Sequence, residues 1–172
     1  MSVFKAVTFS LLSAGILAGC QTSDPEYQVQ KAQQRATAQA NAMQTVADEF
    51  GPLLPLCVQN LSQGTPITQA KMTTLGFSKA MVGYKKPRGS SAMDRINLSN
   101  TTFHANGKLC SMGLGNFFGV QQAGAFVRKE LVAQGYTAGP KIKAGFPFTK
   151  GSTTLYLNGY SYSTVTTVSL SK

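Results

Sequence analysis

Hydrophobic and polar positions along this chain repeat with two different periods, which predict helices in some segments and strands in others. The longest helical segment, 27–49, is rich in Gln and Ala and contains no Gly or Pro, so a helix is favoured there. Two further segments end in a glycine followed by an aromatic residue, Gly76-Phe77 and Gly135-Tyr136, as in a glycine C-cap with its hydrophobic contact. The predicted helices are 27–49, 53–62, 67–75 and 120–134.

Alternating apolar and polar residues predict two antiparallel hairpins. The first, about 94–114, contains Asn106-Gly107, a dipeptide typical of type I′ turns. The second, about 152–170, contains Asn158-Gly159, and a turn there pairs Leu157 with Tyr160 on one face. A small antiparallel sheet of two hairpins packed with the four helices is an α+β fold. The order helix, basic loop, hairpin occurs twice, which fits either an internal duplication or chance.

Charge is unevenly distributed, and it makes the second part of the chain strongly basic. From Phe50 onward there are thirteen Lys and Arg residues against two acids, Asp94 and Glu130. A domain with this balance attracts polyanions, although scattered surface lysines are also common on exported proteins. Many of the cations fall in two predicted loops, Ser78 to Ser91 and the segment after the helix at 120–134. The candidate anion-binding residues are Lys85, Lys86, Arg88, Lys141, Lys143 and Lys150.

The first twenty residues carry a different pattern. Lys5 is followed by an uncharged run from Ala6 to Gly19, which is too short for a helix that crosses a hydrocarbon core of roughly 30 Å. A charged start, a short apolar run and small residues before a cleavage point are typical of a secretory signal peptide. Leu17-Ala18-Gly19-Cys20 resembles the lipobox of bacterial lipoproteins. In that family a lipid is attached to the cysteine thiol and the chain is cleaved before it, so the resemblance implies a lipid on Cys20.

This resemblance implies a domain organisation and a location. Residues 1–19 are expected to be the signal peptide, 20–50 the lipidated N-terminus, linker and tether helix, and 51–172 a basic globular domain. Two acyl chains are enough for stable anchoring, so a membrane is an expected partner. Gln21 stands where an Asp would signal retention in the inner membrane. The expected location is therefore the outer membrane, facing the periplasm, with the inner membrane and the cell surface as alternatives.

Two thiols remain once Cys20 is lipidated, Cys57 and Cys110. An even pair of cysteines in an oxidising compartment usually forms a disulfide. We therefore predict a bond between Cys57 and Cys110, with two unpaired buried thiols as the alternative.

The predicted domain contains few residues that could act in catalysis. Its two acids lie in different predicted elements, and a single histidine cannot form a histidine-rich metal site. A two-residue turn at Asn106-Gly107 sets His104 opposite Leu109. Cys110 then lies opposite Phe103 and points to the other face of the sheet from His104, so a Cys–His dyad is not expected. No catalytic residue, metal or cofactor is predicted.

The expected function is therefore that of a non-enzymatic envelope lipoprotein, which contacts an anionic envelope component or another envelope protein. Nucleic acid is not an expected partner of an exported protein. Peptidoglycan binding is an alternative, because the segment 109–136 resembles the first half of a SPOR-type glycan-binding domain, whereas a second helix would have to follow where this chain has a hairpin. An enzyme of unrecognised type is the other alternative.

Overall fold

A computed structural model describes residues 25–88 and 100–172, which form an α+β fold of four helices and eight strands. The predicted α+β class is confirmed, and each predicted helix is present. The helices are α1 (Pro25–Phe50), α2 (Leu54–Gln63), α3 (Gln69–Thr74) and α4 (Val120–Ala133). The strands are β1 (Ser78–Lys79), β2 (Tyr84–Pro87), β3 (Asn100–Ala105), β4 (Leu109–Gly115), β5 (Thr137–Ala138), β6 (Phe146–Lys150), β7 (Thr153–Tyr162) and β8 (Val165–Ser171).

The eight strands form one antiparallel sheet in the order β1-β2-β3-β4-β8-β7-β6-β5. The two predicted hairpins, β3–β4 and β7–β8, are its four central strands, and β4 pairs with β8 where they meet. Each hairpin is extended outward by two more strands of its own half of the chain. The order is therefore the same when read from either edge, and each half contributes a four-stranded meander.

The outer strands correct the sequence analysis, which assigned their residues to loops. Residues 78–79 and 84–87 lie in the predicted basic loop but form β1 and β2, and 146–150 form β6. Two aromatic side chains explain the difference, because Tyr84 and Phe148 point from these strands into the core. Tyr84 is followed by two lysines, and Phe148 lies between Pro147 and Thr149, so an alternation of only two or three positions does not stand out from a loop.

The second hairpin turns five residues later than predicted. Asn158-Gly159 lies inside β7, which continues to Tyr162 and turns at Ser163, whose φ is 53°. The predicted pairing of Leu157 with Tyr160 is therefore wrong, and Leu157 pairs with Leu170 instead. The dipeptide serves tertiary packing. A Cβ at Gly159 would lie 3.1 Å from a methyl group of Val120 at the start of α4.

The first hairpin turns near Asn106-Gly107, as predicted. Each residue of β3, however, pairs with a residue of β4 two positions later than predicted. Gly107 has φ +78°, and Asn106 Oδ1 accepts hydrogen bonds from the backbone N–H groups of Lys108 and Leu109. His104 therefore pairs with Ser111 rather than with Leu109. Since side chains alternate with a period of two, this shift leaves every residue on its predicted face.

Helices α2, α3 and α4 and the end of α1 enclose the core on one face of the sheet. The predicted disulfide between Cys57 and Cys110 is present, with 5.5 Å between the Cα atoms, and it joins α2 to the central strand β4. Both cysteines are fully buried. The largest fully buried side chains are Phe50, Phe103, Phe148, Leu53, Leu54, Leu61, Met72, Met112, Leu114, Leu131, Leu155 and Leu170.

The two glycine–aromatic helix ends adopt the same local structure, as predicted. Gly76 N–H donates to Thr73 O and Phe77 N–H to Met72 O, each at 2.9 Å. Gly135 and Tyr136 repeat these two hydrogen bonds at the end of α4, at 2.9 and 3.0 Å. In both places a positive φ at the glycine turns the chain out of the helix, and the aromatic ring enters the core. The two halves thus share their helix–strand junctions as well as their strand order.

Candidate binding surfaces

Helix α1 projects from the domain. Residues 25–41 are all exposed, and burial begins near Met43 and is complete at Val46 and Phe50. A helix of 26 residues is about 39 Å long at 1.5 Å per residue. The first turns of α1 are therefore not covered by the domain, and the apolar side chain of Val29 is 58% exposed. No helix among the described residues combines the length and the apolar character that a membrane crossing requires. The predicted signal segment, Cys20 and Asp94 lie outside the described residues.

A half-buried charge cluster fixes the packed end of α1 to the sheet. Glu49 Oε2 lies 2.8 Å from Lys86 Nζ on β2, and the Thr101 hydroxyl on β3 donates to the same oxygen at 2.5 Å. Arg88 Nε is 4.0 Å from the other oxygen, and Arg88 Nη1 donates to Gly115 O at 2.9 Å. The side chains of Glu49 and Lys86 are 17% and 24% exposed. The sequence analysis gave Glu49 no role, because its partners are far along the chain.

The six candidate anion-binding residues have different environments. Lys86 and Arg88 face the carboxylate of Glu49, so this part of the positive charge is neutralised within the chain. Lys150 Nζ donates to Gln134 O at 2.7 Å and lies 5.8 Å from the ring centre of Tyr136. Lys150 therefore completes the end of α4 and is not fully available to an external anion.

The remaining three candidates, Lys85, Lys141 and Lys143, are exposed, and they lie near opposite edges of the sheet. Within residues 25–88 and 100–172, the ammonium groups of Lys85 and Lys143 have no hydrogen-bond, ion-pair or ring partner, and Lys141 lies 5.6 Å from the ring centre of Phe146. Strands β2 and β6 are five strand spacings apart, or about 24 Å at 4.8 Å each. The structure therefore does not bring the two predicted basic loops into a single site.

His104 and Cys110 lie on opposite faces of the sheet, as predicted. Cys110 is fully buried and bonded to Cys57, whereas His104 is half-buried on the face that the helices leave open. This geometry separates the histidine from both sulfur atoms by the thickness of the sheet. Among the described residues, no group of three or more His, Cys, Asp or Glu side chains is placed to hold a metal ion.

A groove of about 680 Å³ runs between α4 and the strands β6 and β7. Its walls are mostly apolar or small, and include Gly124 and Val132 from the helix and Phe146 and Leu157 from the strands. Arg128 lies at its edge, with the guanidinium carbon 4.4 Å from the ring centre of Phe146. The sequence analysis identified the buried face of α4 but not this groove, because its far wall comes from strands that had been assigned to a loop and to a misplaced turn.

The sheet face opposite the helices is polar and carries little charge. One row across it contains Thr102, Gly113, Thr167 and Tyr160, which are neighbours in successive strands. Tyr160 and Tyr162 are 56% and 80% exposed. On this face, the described parts of β3, β4, β7 and β8 carry mainly Ser, Thr, Tyr, Asn and His104, together with the exposed Leu109 and Val165, and no Lys, Arg, Asp or Glu.

The described part of the chain thus offers three surfaces for contact with other molecules: the projecting part of α1, the groove beside α4, and the open face of the sheet. Of these three, the groove is concave and combines apolar walls with cationic side chains, and a second cavity of about 530 Å³ lies beside α2 and Lys150. Comparison of the chain with protein-family models, curated proteins and solved structures found no match.

Proposed function

We propose that this protein is a lipid-anchored, non-enzymatic protein of the bacterial envelope, which presents a basic binding domain on a helical tether. The observation that carries the proposal is the position of α1. It begins at Pro25, five residues after the lipobox cysteine Cys20, and is exposed to residue 41. Seventeen exposed helical residues correspond to about 25 Å, so a lipid on Cys20 would hold the domain well clear of the head groups.

The disulfide supports an exported location. Disulfides form and persist in the periplasm and other oxidising compartments, and are rare in the cytosol of most organisms. The Cys57–Cys110 bond lies in the centre of the core, between α2 and β4, where both sulfurs are shielded from solvent. A signal peptide that delivers the chain to the periplasm agrees with this bond, and Gln21 favours transfer to the outer membrane.

The basic surface supports an anionic partner. From Phe50 onward the chain has thirteen Lys and Arg residues, and Glu49 neutralises only the group around Lys86 and Arg88. Lys85, Lys141 and Lys143 remain exposed. Phosphates of lipopolysaccharide and anionic lipid head groups are polyanionic surfaces within reach of a tethered domain, and attraction to them depends on ionic strength.

Anchoring is tested by labelling growing cells with an alkyne analogue of palmitate. We expect the wild-type protein to be labelled and recovered with membranes, and the Cys20→Ala variant to lose the label. Cys57→Ala is the matched control, since it removes a thiol that the proposal does not lipidate. Recovery of wild-type protein from the soluble cytosolic fraction, without label, would overturn the proposal.

The anionic partner is tested by sedimentation with vesicles that contain phosphatidylglycerol or lipopolysaccharide. We expect a Lys85→Gln, Lys141→Gln, Lys143→Gln variant to lose most of the salt-sensitive binding. A Lys31→Gln, Arg35→Gln variant removes charge from the exposed part of α1 and serves as the control. Equal binding by both variants and the wild type would contradict this assignment. Salt-resistant sedimentation with purified sacculi would favour peptidoglycan binding instead, although strands rather than a helix follow α4.

A further inference from the structure

The groove beside α4 has the dimensions of a lipid-chain site. Val120, Gly124, Arg128 and Val132 all line it, and their spacing of four residues makes one stripe along the helix. The twelve residue steps from Val120 to Val132 span about 18 Å of helix. One acyl chain covers half of a hydrocarbon core that is roughly 30 Å thick, or about 15 Å, so a chain and its head group match the length of the stripe. The volume, about 680 Å³, also falls in the usual range for small-molecule sites.

Small residues keep the groove open. A Cβ placed at Gly124 would meet no other atom within 4 Å, so this position faces empty space. Ala125 continues the small surface on the helix, and Leu157 forms apolar wall on β7. Glycine is otherwise unfavourable in the middle of a helix, and its presence here leaves room that any larger side chain would fill.

The charges at the groove are all positive. Arg128 and Lys129 line it, and Lys141 lies 5.6 Å from the ring centre of Phe146, the same ring that Arg128 contacts. No carboxylate from residues 25–88 or 100–172 lines the groove or pairs with Arg128. Glu130 is two residues from Arg128 and therefore points to a different side of the helix. An anionic group placed beside Phe146 would be attracted by Arg128 and Lys141, and no carboxylate of the described residues lining the groove would repel it.

We infer that this groove binds a single-chain amphiphile with an anionic head group, the alkyl chain lying along Gly124 and Leu157 and the head group between Arg128 and Lys141. This inference rests on the proposed function, since it names the class of anionic envelope molecule that the domain contacts. Arginine suits such a head group because its planar guanidinium can donate two parallel hydrogen bonds to a carboxylate or phosphate.

The test is photolabelling of the full-length protein in phosphatidylcholine nanodiscs with a diazirine analogue of palmitic acid, followed by mapping of the labelled peptides. The uncharged alcohol of the same chain is the control probe. Gly124→Leu places a large side chain in the groove at a position where an added Cβ meets no atom within 4 Å, and Ala133→Leu places the same side chain at an exposed position of α4 outside it. Arg128→Gln removes the head-group cation, and Lys108→Gln removes a positive charge from another surface.

We expect the acid to label peptides of α4 and β6, and Gly124→Leu to lower this labelling about ten-fold or more while Ala133→Leu leaves it unchanged. Arg128→Gln should lower labelling by the acid about ten-fold, the loss of one charge-assisted contact, and leave labelling by the alcohol unaffected. Equal labelling of Gly124→Leu and wild type, equal labelling by acid and alcohol, or labelling confined to other peptides would each overturn the inference. If wild-type protein from growing cells carries no lipid label on Cys20 but the groove is still photolabelled, only the proposed anchor is contradicted.

Discussion

Replacing Glu49 with glutamine removes one charge from the cluster that holds the end of α1 against the sheet. Glutamine keeps the shape and an acceptor oxygen for the Thr101 hydroxyl, so the substitution isolates the ionic part of the contact. Lys86, which lies 2.8 Å from the carboxylate and is 24% exposed, then loses its counter-charge, and Arg88 keeps its hydrogen bond to Gly115 O. The packing of Val46 and Phe50 is unchanged by this substitution.

The magnitude follows from the degree of burial. Exposed ion pairs contribute about 0–1 kcal/mol, and breaking a fully buried pair costs about 3–5 kcal/mol. Since Glu49 and Lys86 are 17% and 24% exposed, they lie between these limits, and we expect Glu49→Gln to lower the free energy of unfolding by about 2 kcal/mol. Glu49→Ala should cost about 1 kcal/mol more, because the Thr101 hydroxyl also loses its acceptor.

Urea unfolding of the oxidised protein, followed by circular dichroism, measures this difference. Asp48→Asn is the matched control, because Asp48 is the adjacent acid on α1, is exposed, and accepts a hydrogen bond only from Gln44 within its own helix. We expect this control to change stability by less than about 0.5 kcal/mol. A double-mutant cycle of Glu49→Gln with Lys86→Gln should give a coupling energy of at least about 1 kcal/mol. If Glu49→Gln costs no more than Asp48→Asn, the cluster does not hold α1, and the reasoning is refuted.

Two further predictions concern the core and α4. Replacing Cys57 and Cys110 together with serine should lower the free energy of unfolding by about 4 kcal/mol, the chain-entropy effect of opening a loop between residues 53 positions apart. Unfolding in urea with and without the bond checks this, and a loss below about 1 kcal/mol would contradict it. Gly124→Ala should raise the thermal midpoint, since it adds about 0.5–1 kcal/mol of helix propensity in open space, whereas Gly159→Ala should lower it because its Cβ would lie 3.1 Å from Val120. Calorimetry that shows the same sign for both substitutions would contradict this pair of predictions.

The projecting helix and the charge cluster have a joint consequence for the proposed tether. Residues 25–41 of α1 are not supported by the domain. Under the proposed anchoring, a force on Cys20 would therefore act on the contacts at the C-terminal end of α1. Those contacts are the buried Val46 and Phe50 together with the ion pair of Glu49. Helix α1 therefore has a defined point of attachment on the sheet.

Local features of the chain were predicted well because they depend on neighbours in sequence. The four helices follow from the spacing of apolar residues and from composition, and the caps at Gly76 and Gly135 follow from the glycine's freedom to adopt positive φ. The presence of two central hairpins follows from local alternation, although the turn of the second does not, and the disulfide between Cys57 and Cys110 follows from the expectation that Cys20 is not available for pairing. In each case the relevant interaction lies within a few residues or has only one possible partner.

The sequence alone therefore determined which segments are helices and central strands, and which face of the first hairpin is buried. In the second hairpin it placed Tyr160 on the face of Leu157, whereas the later turn puts the two side chains on opposite faces. Tertiary contacts decided the rest. Asn158-Gly159 has the chemistry of a turn, yet it lies inside a strand, where it pairs with Ser169 and Val168 of β8. Lys86 and Lys150 are equivalent lysines of the two halves, yet one meets the carboxylate of Glu49 and the other a backbone oxygen. The groove likewise exists only where α4 lies against β6 and β7, because a pattern of side chains along one element does not specify which distant element packs beside it.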